Sequence, residues 1–234
     1  MTTVALIPAH DEAERIAATV AAALGIPGVD RVLVIDDGSS DDTAARAEAA
    51  GAEVLRLDRN VGKGASLDAG LDAVRADAEV LLLLDGDLGD SAAQGAALLA
   101  PVLAGEADMT VAGFPAPTGK AGFGLVKGLA RGGIRSLAGR AGRAFPATAP
   151  LSGQRALDRA AWEAVTPFAF GYGVEVALTV RALRAGLRVL EVPTTMTHAA
   201  TGRDAAGFAH RGRQFFHVAR ALARLALERR RSPG

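Results

Sequence analysis

The chain has 234 residues, half of them apolar, with 26 basic and 26 acidic side chains and no cysteine. This length suits one large domain with a full core, and the lack of cysteine excludes disulfides, thiolate metal sites and cysteine nucleophiles. No charge-free apolar run of about 18 residues occurs and the first residues lead directly into a strand, so we expect a cytoplasmic protein without a spanning helix or signal peptide.

Charge is divided unevenly along the chain. Residues 1–108 carry 20 acidic and 7 basic side chains and residues 109–234 carry 6 and 19, so the two parts have net charges of −13 and +13. No acidic residue stands between Asp108 and Asp158. The basic residues of that interval are Lys120, Lys127, Arg131, Arg135, Arg140, Arg143 and Arg155. We expect this part to bind a small anionic molecule, and we expect no nucleic-acid partner.

Short apolar strands alternate with helices through the first half. Strands are predicted at residues 3–8, 31–35, 53–57, 80–84 and 108–113. Helices are predicted between them, ending near residues 24, 50, 75 and 104. This alternation is typical of right-handed βαβ units, and it predicts an α/β fold with a mostly parallel sheet, flanking helices and ligands at the carboxyl ends of the strands.

Polar clusters follow three of these strands directly. The first strand leads into residues 8–12, the second into the acidic run 36–42, and the fourth into Asp85-Gly86-Asp87. In an extended chain, the side chains of this Asp-x-Asp motif point to the same side, and such oxygen ligands suit Mg²⁺ or Mn²⁺ with positions open for phosphates. An isolated Asp-Gly-Asp is more often an acidic turn, but three clusters at one sheet edge favour a nucleotide site.

The second half is less regular. Lys127, Arg131 and Arg135 recur every four residues and therefore lie along one helix face, which is either solvated or an anion-binding wall. Further helices are predicted at about 159–165, 175–186 and 204–231, with a strand at 188–192. The last helix has an apolar side with several aromatic residues, which favours docking on the core. Contact with an anionic membrane surface and a homodimer through this helix are the alternatives.

Four ordered motifs of the first half are Pro8-Ala9-His10-Asp11-Glu12, Val34-Ile35-Asp36-Asp37-Gly38-Ser39-Ser40-Asp41, Asn60-Val61-Gly62-Lys63-Gly64 and Asp85-Gly86-Asp87. Their order and spacing resemble the nucleotide-binding half of GT-A-fold glycosyltransferases similar to the dolichol-phosphate mannosyltransferase family. Later motifs are Pro150-Leu151-Ser152-Gly153, Pro167-Phe168, Gly171-Tyr172-Gly173-Val174-Glu175 and His198. These resemble glucosyl-3-phosphoglycerate synthases and their mannosyl counterparts. The resemblance implies one continuous Rossmann-like GT-A domain, with a nucleotide-sugar-binding region at 1–114 and an acceptor-binding region with a terminal helix at 115–234.

The resemblance also implies roles for individual residues. Those implied to bind the nucleotide sugar are Pro8, Ala9, Glu12, Asp37, Gly62, Lys63, Gly64, Asp85 and Gly86. Asp87 and His198 are the implied metal ligands, and Asp87 and Glu175 the implied catalytic groups, with Glu175 either a base for the incoming hydroxyl or a group that orients it. The expected acceptor-binding residues are Arg131, Arg135, Gly153, Gln154, Arg155, Tyr172, Gly173 and Arg203.

The preferred function is metal-dependent transfer of a hexose from a nucleotide diphosphate sugar, of the UDP-glucose or GDP-mannose type, to a small anionic acceptor such as 3-phosphoglycerate. One alternative is a polyprenyl-phosphate glycosyltransferase at a membrane surface, and another is a nucleotide-sugar-binding protein without turnover. A Rossmann dehydrogenase and a sugar nucleotidyltransferase do not fit, because neither a Gly-x-Gly-x-x-Gly nor a Gly-x-Gly-x-Arg loop follows the first strand. Inverting and retaining stereochemistry both stay open.

Overall fold

The computed structural model describes residues 1–114, 124–169, 171–196 and 205–231. Within these ranges the strands are β1 (Thr3–Ala9), β2 (Arg31–Asp36), β3 (Glu53–Arg56), β4 (Val80–Leu83), β5 (Met109–Gly113), β6 (Arg155–Asp158) and β7 (Val189–Pro193). The α-helices are α1 (Ile16–Leu24), α2 (Thr43–Ala49), α3 (Lys63–Val74), α4 (Gly95–Leu103), α5 (Gly124–Leu137), α6 (Gly139–Ala144), α7 (Arg159–Val165), α8 (Val174–Arg184) and α9 (Ala205–Arg231). None of these described helices is long and apolar enough to cross a membrane.

The described strands form a seven-stranded sheet in the order β3-β2-β1-β4-β6-β5-β7. β6 is antiparallel to β4 and β5, and the other pairs are parallel. Helices pack on both faces, so the predicted α/β fold with a mostly parallel sheet is confirmed. Because the parallel strands run in one direction, the loops after β1, β2 and β4 meet at one edge of the sheet.

The central strands are buried on both sides. Val4 and Leu6 of β1 join the core that packs against α3, α5 and α8, whereas Ala5 and Ile7 join the core under α1 and α4. Alternation of side chains along a strand produces these two cores, and double-sided burial explains the uninterrupted apolar runs.

β6 was not predicted from the sequence. It has only four residues, and the two apolar ones, Ala156 and Leu157, stand between Arg155 and Asp158. A strand this short and flanked by charge gives no period-two pattern. Its insertion between β4 and β5 is nevertheless important, because it brings the segment before it, residues 152–154, to the end of β4.

The loops at the carboxyl edge are tied to one another. The backbone amide of Ser40 donates to Asp11 Oδ1 over 2.8 Å, and the amide of Asp11 donates to Ser39 Oγ over 3.0 Å. Gly38 adopts φ = 68°, and a Cβ there would lie 2.5 Å from the backbone carbon of Arg59. Only glycine allows this approach, which joins the loop after β2 to the segment that leads into α3.

Candidate active site

A cleft of 690 Å³ opens at this edge of the sheet. Its lining residues are Pro8, Ala9, His10, Glu12, Asp37, Asn60, Val61, Gly62, Lys63, Gly171 and His217. The structure thus brings together six of the predicted nucleotide-sugar-binding residues, from three separate segments. The volume lies in the range of small-molecule sites, roughly 300–1,000 Å³. We refer to this cavity as the donor cleft.

Asp37 fixes the loop that forms one side of the donor cleft. Its carboxylate accepts hydrogen bonds from the amides of Val61, over 2.7 Å, and Gly62, over 2.9 Å, and the residue is buried. α3 begins at the next residue, Lys63. Asp37 therefore positions the amino-terminal end of α3 beside the cleft; its contact with a nucleotide base stays a prediction.

Lys63 lies at the centre of a charged network. Its ammonium donates to Asp85 Oδ1 over 2.5 Å and lies 3.2 Å from Glu175 Oε1. The side-chain amide of Gln154 donates to Asp85 Oδ2 over 2.5 Å. Two residues of the predicted donor site, Lys63 and Asp85, thereby meet two of the predicted reaction and acceptor site, Gln154 and Glu175.

The charges of this network are interdependent. Burial lowers the pKa of Lys63, but the carboxylates of Asp85 and Glu175 outweigh burial and hold that pKa above its usual value. The backbone of Gly153 lies directly on this ion pair, since a Cβ there would be 2.4 Å from Lys63 Nζ and 3.0 Å from Asp85 Oδ1. Glycine at position 153 thus lets the loop before β6 cover the network.

The Asp-x-Asp segment packs against the loop after β1. A Cβ at Gly86 would lie 3.1 Å from Ala9 Cβ and 3.4 Å from Glu12 Cγ. Burial, and then the negative charges of Asp87 and Asp85, raise the pKa of Glu12 to about 7. The carboxyl groups of Asp85 and Asp87 are therefore close enough to repel that of Glu12, which lines the cleft, and a divalent cation would relieve this repulsion.

The described residues supply only part of a metal site. Among them, no group of three or more His, Asp or Glu side chains is arranged to hold an ion. Both oxygens of Asp85 accept hydrogen bonds, one from Lys63 and the other from Gln154, and the role of Asp87 as a metal ligand stays a prediction. His198, the other expected ligand, lies outside the described residues, as does Arg203.

Replacing Glu12 by Gln should change how stability depends on pH. The pKa of Glu12 is raised in the fold from the ordinary 4.5 to about 7, so the folded chain binds this proton more tightly than the unfolded chain. Its contribution to stability is complete below pH 4.5 and is lost as the pH rises through about 7. In thermal unfolding without metal, Glu12→Gln should melt a few degrees above wild type at pH 8 and at the same temperature near pH 4.5. Glu14→Gln, a change of an exposed acid nearby, should follow wild type, and a constant offset between Glu12→Gln and wild type would contradict the raised pKa.

Among the residues expected to bind the acceptor, Gly153 and Gln154 contact the network, but the three arginines in the described part of the chain do not line the donor cleft. Arg155 is fully buried beneath the site, with its donors on protein groups, and so does not face the cleft. The helix predicted around Lys127, Arg131 and Arg135 is confirmed as α5. However, Arg131 donates to the carbonyl of Ala147 over 3.1 Å, Arg135 is exposed, and neither lines the donor cleft. The acceptor wall on α5 therefore stays a prediction.

The turn before α8 lies against α9. Tyr172 and Gly173 belong to the short 3₁₀ turn Gly171–Gly173, and a Cβ at Gly173 would be 2.5 Å from Ala221 Cβ. A Cβ at Gly171 would be 2.3 Å from Nδ1 of His217. Close packing on these two glycines brings His217 into the donor cleft, where no residue of the last helix was expected. The sequence shows that His217 precedes the apolar Val218, but nothing in it indicates that the imidazole packs against Gly171.

The family model for glycosyl transferase family 2 matches residues 4–137. A glucosyl-3-phosphoglycerate synthase from Mycolicibacterium paratuberculosis is 32% identical over 196 residues, covering 75% of this chain and 58% of that protein. Glycosyltransferase AglJ from Haloferax volcanii is 32% identical over 208 residues, covering 85% of this chain and 64% of that protein. The chain therefore spans less than two thirds of the length of either relative.

Solved structures of glucosyl-3-phosphoglycerate synthase from Mycobacterium tuberculosis share the fold. One in complex with Mn²⁺, uridine diphosphate and phosphoglyceric acid has a TM-score of 0.78 and 27% identity, covering 96% of this chain and 78% of that chain. Another, with Mn²⁺, UDP-glucose and phosphoglyceric acid, has a TM-score of 0.76 and 26% identity, covering 96% and 79%.

Because the family model covers more than half of the residues, the chain belongs to glycosyltransferase family 2 and has a GT-A-like fold.

Proposed function

We propose that the chain transfers a hexose from a nucleotide diphosphate sugar, of the UDP-glucose or GDP-mannose type, to a small phosphorylated acceptor such as 3-phosphoglycerate. The observation that carries the proposal is the network in which Lys63 and Asp85 of the donor side meet Gln154 and Glu175 of the acceptor side. Donor and acceptor must meet at one place for transfer, and in this network residues proposed to serve the donor are in contact with residues proposed to serve the acceptor.

The donor would lie along the loops after β1, β2 and β4. Pro8, Ala9 and Glu12 would contact the base and ribose, and the amino-terminal end of α3 with Lys63 would meet the diphosphate. The ammonium of Lys63 is already shared by two carboxylates, so the site around it carries net negative charge. That charge would repel a diphosphate.

Mg²⁺ or Mn²⁺ would offset that charge, with Asp87 as a ligand from this chain. When bound, the ion neutralises the leaving diphosphate. The solved synthases in complex with Mn²⁺ and uridine nucleotides support this choice of metal. Asp85, held by Lys63 and Gln154, would instead orient the donor.

Transfer forms a bond between the acceptor oxygen and the anomeric carbon and breaks the bond from that carbon to the diphosphate oxygen. The hydroxyl proton leaves either to Glu175 or to the departing phosphate. Glu175 is buried and lies 3.2 Å from the ammonium of Lys63, so its carboxylate is fixed in direction. We propose that it orients the acceptor hydroxyl or accepts its proton.

The acid-free interval before Asp158 supports an anionic acceptor, and phosphoglyceric acid in the solved relatives supports a phosphorylated acid. A second candidate, polyprenyl phosphate with peripheral membrane contact, is favoured by one observation. On α9, Phe216 is 64% exposed and Leu227 is 55% exposed, and exposed Arg220 lies on the same helix face. The same face could also form a homodimer.

The test is a transfer assay with a panel of donors and two acceptors in the presence of Mn²⁺. UDP-glucose and GDP-mannose are each incubated with 3-phosphoglycerate or with a short polyprenyl phosphate in detergent, and products are identified by mass spectrometry. We expect one donor to yield a hexosyl-phosphoglycerate. If product formed only on the polyprenyl phosphate, that lipid would take the place of 3-phosphoglycerate as the proposed acceptor. Tight donor binding without any product would indicate a binding protein instead.

A further inference from the structure

Arg155 is a fully buried cation directly behind the charged network. It begins β6, where it pairs with Leu83 of β4 on one side and with Val111 of β5 on the other. A charge placed here is costly, and hydrophobic side chains of similar volume often stabilise a core equally well. Stabilisation of the core therefore does not by itself account for a charged side chain at this position.

The guanidinium connects two segments of backbone. Nε and Nη2 donate to the carbonyl of Ser152 over 3.2 and 3.1 Å, and Nη2 also donates to the carbonyl of Glu175 over 2.8 Å. Nη1 donates to Oγ1 of Thr179 over 3.0 Å, and that hydroxyl donates to the same Glu175 carbonyl over 3.0 Å. One side chain thus joins the loop before β6 to the first turn of α8.

These two segments carry the side chains that converge on the donor side. Gln154, in the loop before β6, donates to Asp85, whereas Glu175, in the first turn of α8, approaches Lys63. A displacement of about 1 Å in reacting groups can cost roughly 100-fold in rate. Because Gln154 lies two residues after Ser152, we expect a shift of Ser152 relative to Glu175 to move Gln154 relative to Glu175 as well.

We infer that Arg155 is a positioning residue, which sets the relative placement of the 152–154 loop and Glu175 for glycosyl transfer. The inference rests on the proposed function and assigns Arg155 no contact with either substrate. Only arginine suits the role, because its planar fork carries five donors, whereas lysine has one donor nitrogen that cannot reach both carbonyls and the hydroxyl. Burial lowers the pKa of Arg155 to about 10, opposed by the charges of Glu175 and Glu191, so the group stays charged near neutral pH.

The test compares Arg155→Lys and Thr179→Val with a matched control, Arg184→Lys. Arg184 lies on the last turn of α8 and likewise donates to two carbonyls, those of Leu137 and Leu225, each over 3.0 Å. Turnover is measured with donor and acceptor, together with hydrogen exchange of peptides that contain residues 150–155 and 172–179. Arg155→Lys should lower kcat about 100-fold, with the donor KM within about twofold of wild type. Thr179→Val, which removes one partner of the guanidinium, should lower kcat about fivefold.

Both peptides should exchange faster in Arg155→Lys and Thr179→Val and stay unchanged in Arg184→Lys. If Arg155→Lys does not fold, Thr179→Val decides on its own. The inference would be overturned if Arg155→Lys and Thr179→Val lowered the melting temperature only as Arg184→Lys does and kept the kcat and the hydrogen exchange of wild type. If the wild-type chain transfers no sugar, the proposed function fails. Hydrogen exchange of the two peptides then still tests whether Arg155 holds the 152–154 loop and Glu175 in place, and unaltered exchange in Arg155→Lys and Thr179→Val would show that it does not.

Discussion

Replacing Asp87 by Ala should abolish metal-dependent binding of the donor while the fold stays intact. Asp87 lies in the Gly86-Asp87 turn after β4, and its charge contributes to the raised pKa of Glu12, which lines the donor cleft. Removing it would delete the proposed metal ligand and leave a bound diphosphate facing the carboxylates of Asp85 and Glu175 without the ion's positive charge. We expect the Mn²⁺-dependent affinity for UDP-glucose to fall about 100-fold or more, measured by calorimetric titration with and without the ion.

Asp90→Ala is the matched control for this loss of charge. Asp90 is an exposed acid three residues further along, in the 3₁₀ turn before α4. Its removal should leave both affinity and metal dependence unchanged. If Asp87→Ala kept the full Mn²⁺-dependent affinity, the assignment of the metal to the Asp-x-Asp motif would be wrong.

Replacing Lys63 by Met should reduce turnover about 1,000-fold. The ammonium lies within ion-pair distance of both Asp85 and Glu175. Without it, the two carboxylates repel each other and the leaving diphosphate loses a fixed positive charge. Methionine keeps most of the apolar stem, so the effect should appear in kcat and in donor affinity together, measured by steady-state kinetics and titration.

The control for Lys63→Met is Arg59→Met, four residues earlier, in the segment that leads into α3. Arg59 is exposed, and its removal changes the net charge by the same amount. It should alter kcat less than about twofold, as expected for a screened surface charge. Equal losses in the two variants would show that overall charge, and not the network, governs activity.

The sequence predicted the first half of the fold well for a physical reason. Parallel strands that are buried on both faces read as short apolar runs, and β4 (Val80–Leu83) is the clearest case. The polar residues just after β1, β2 and β4 then locate the site, because the carboxyl ends of such strands share one edge. Asp85 was placed at this edge by that argument, whereas Lys63, at the start of α3, was placed in the same site by the family resemblance, and the two side chains are in contact.

Features that depend on pairing across long distances could not be predicted in this way. β6 is recognisable only once β4 and β5 stand on either side of it. Arg155 looked like a ligand-binding cation, since no local pattern reveals that a strand will bury it. His217 enters the donor cleft because α9 packs on two glycines more than 40 residues earlier in the chain.

The most direct test of a metal-dependent donor site is a crystal structure of the chain grown with UDP and Mn²⁺, with anomalous data that locate the manganese. The proposed function predicts uridine in the donor cleft against Pro8 and Ala9, the diphosphate over the start of α3, and a manganese peak coordinated by Asp87. A nucleotide bound elsewhere, or manganese with no contact to Asp87, would contradict the placement of the reaction at this edge of the sheet.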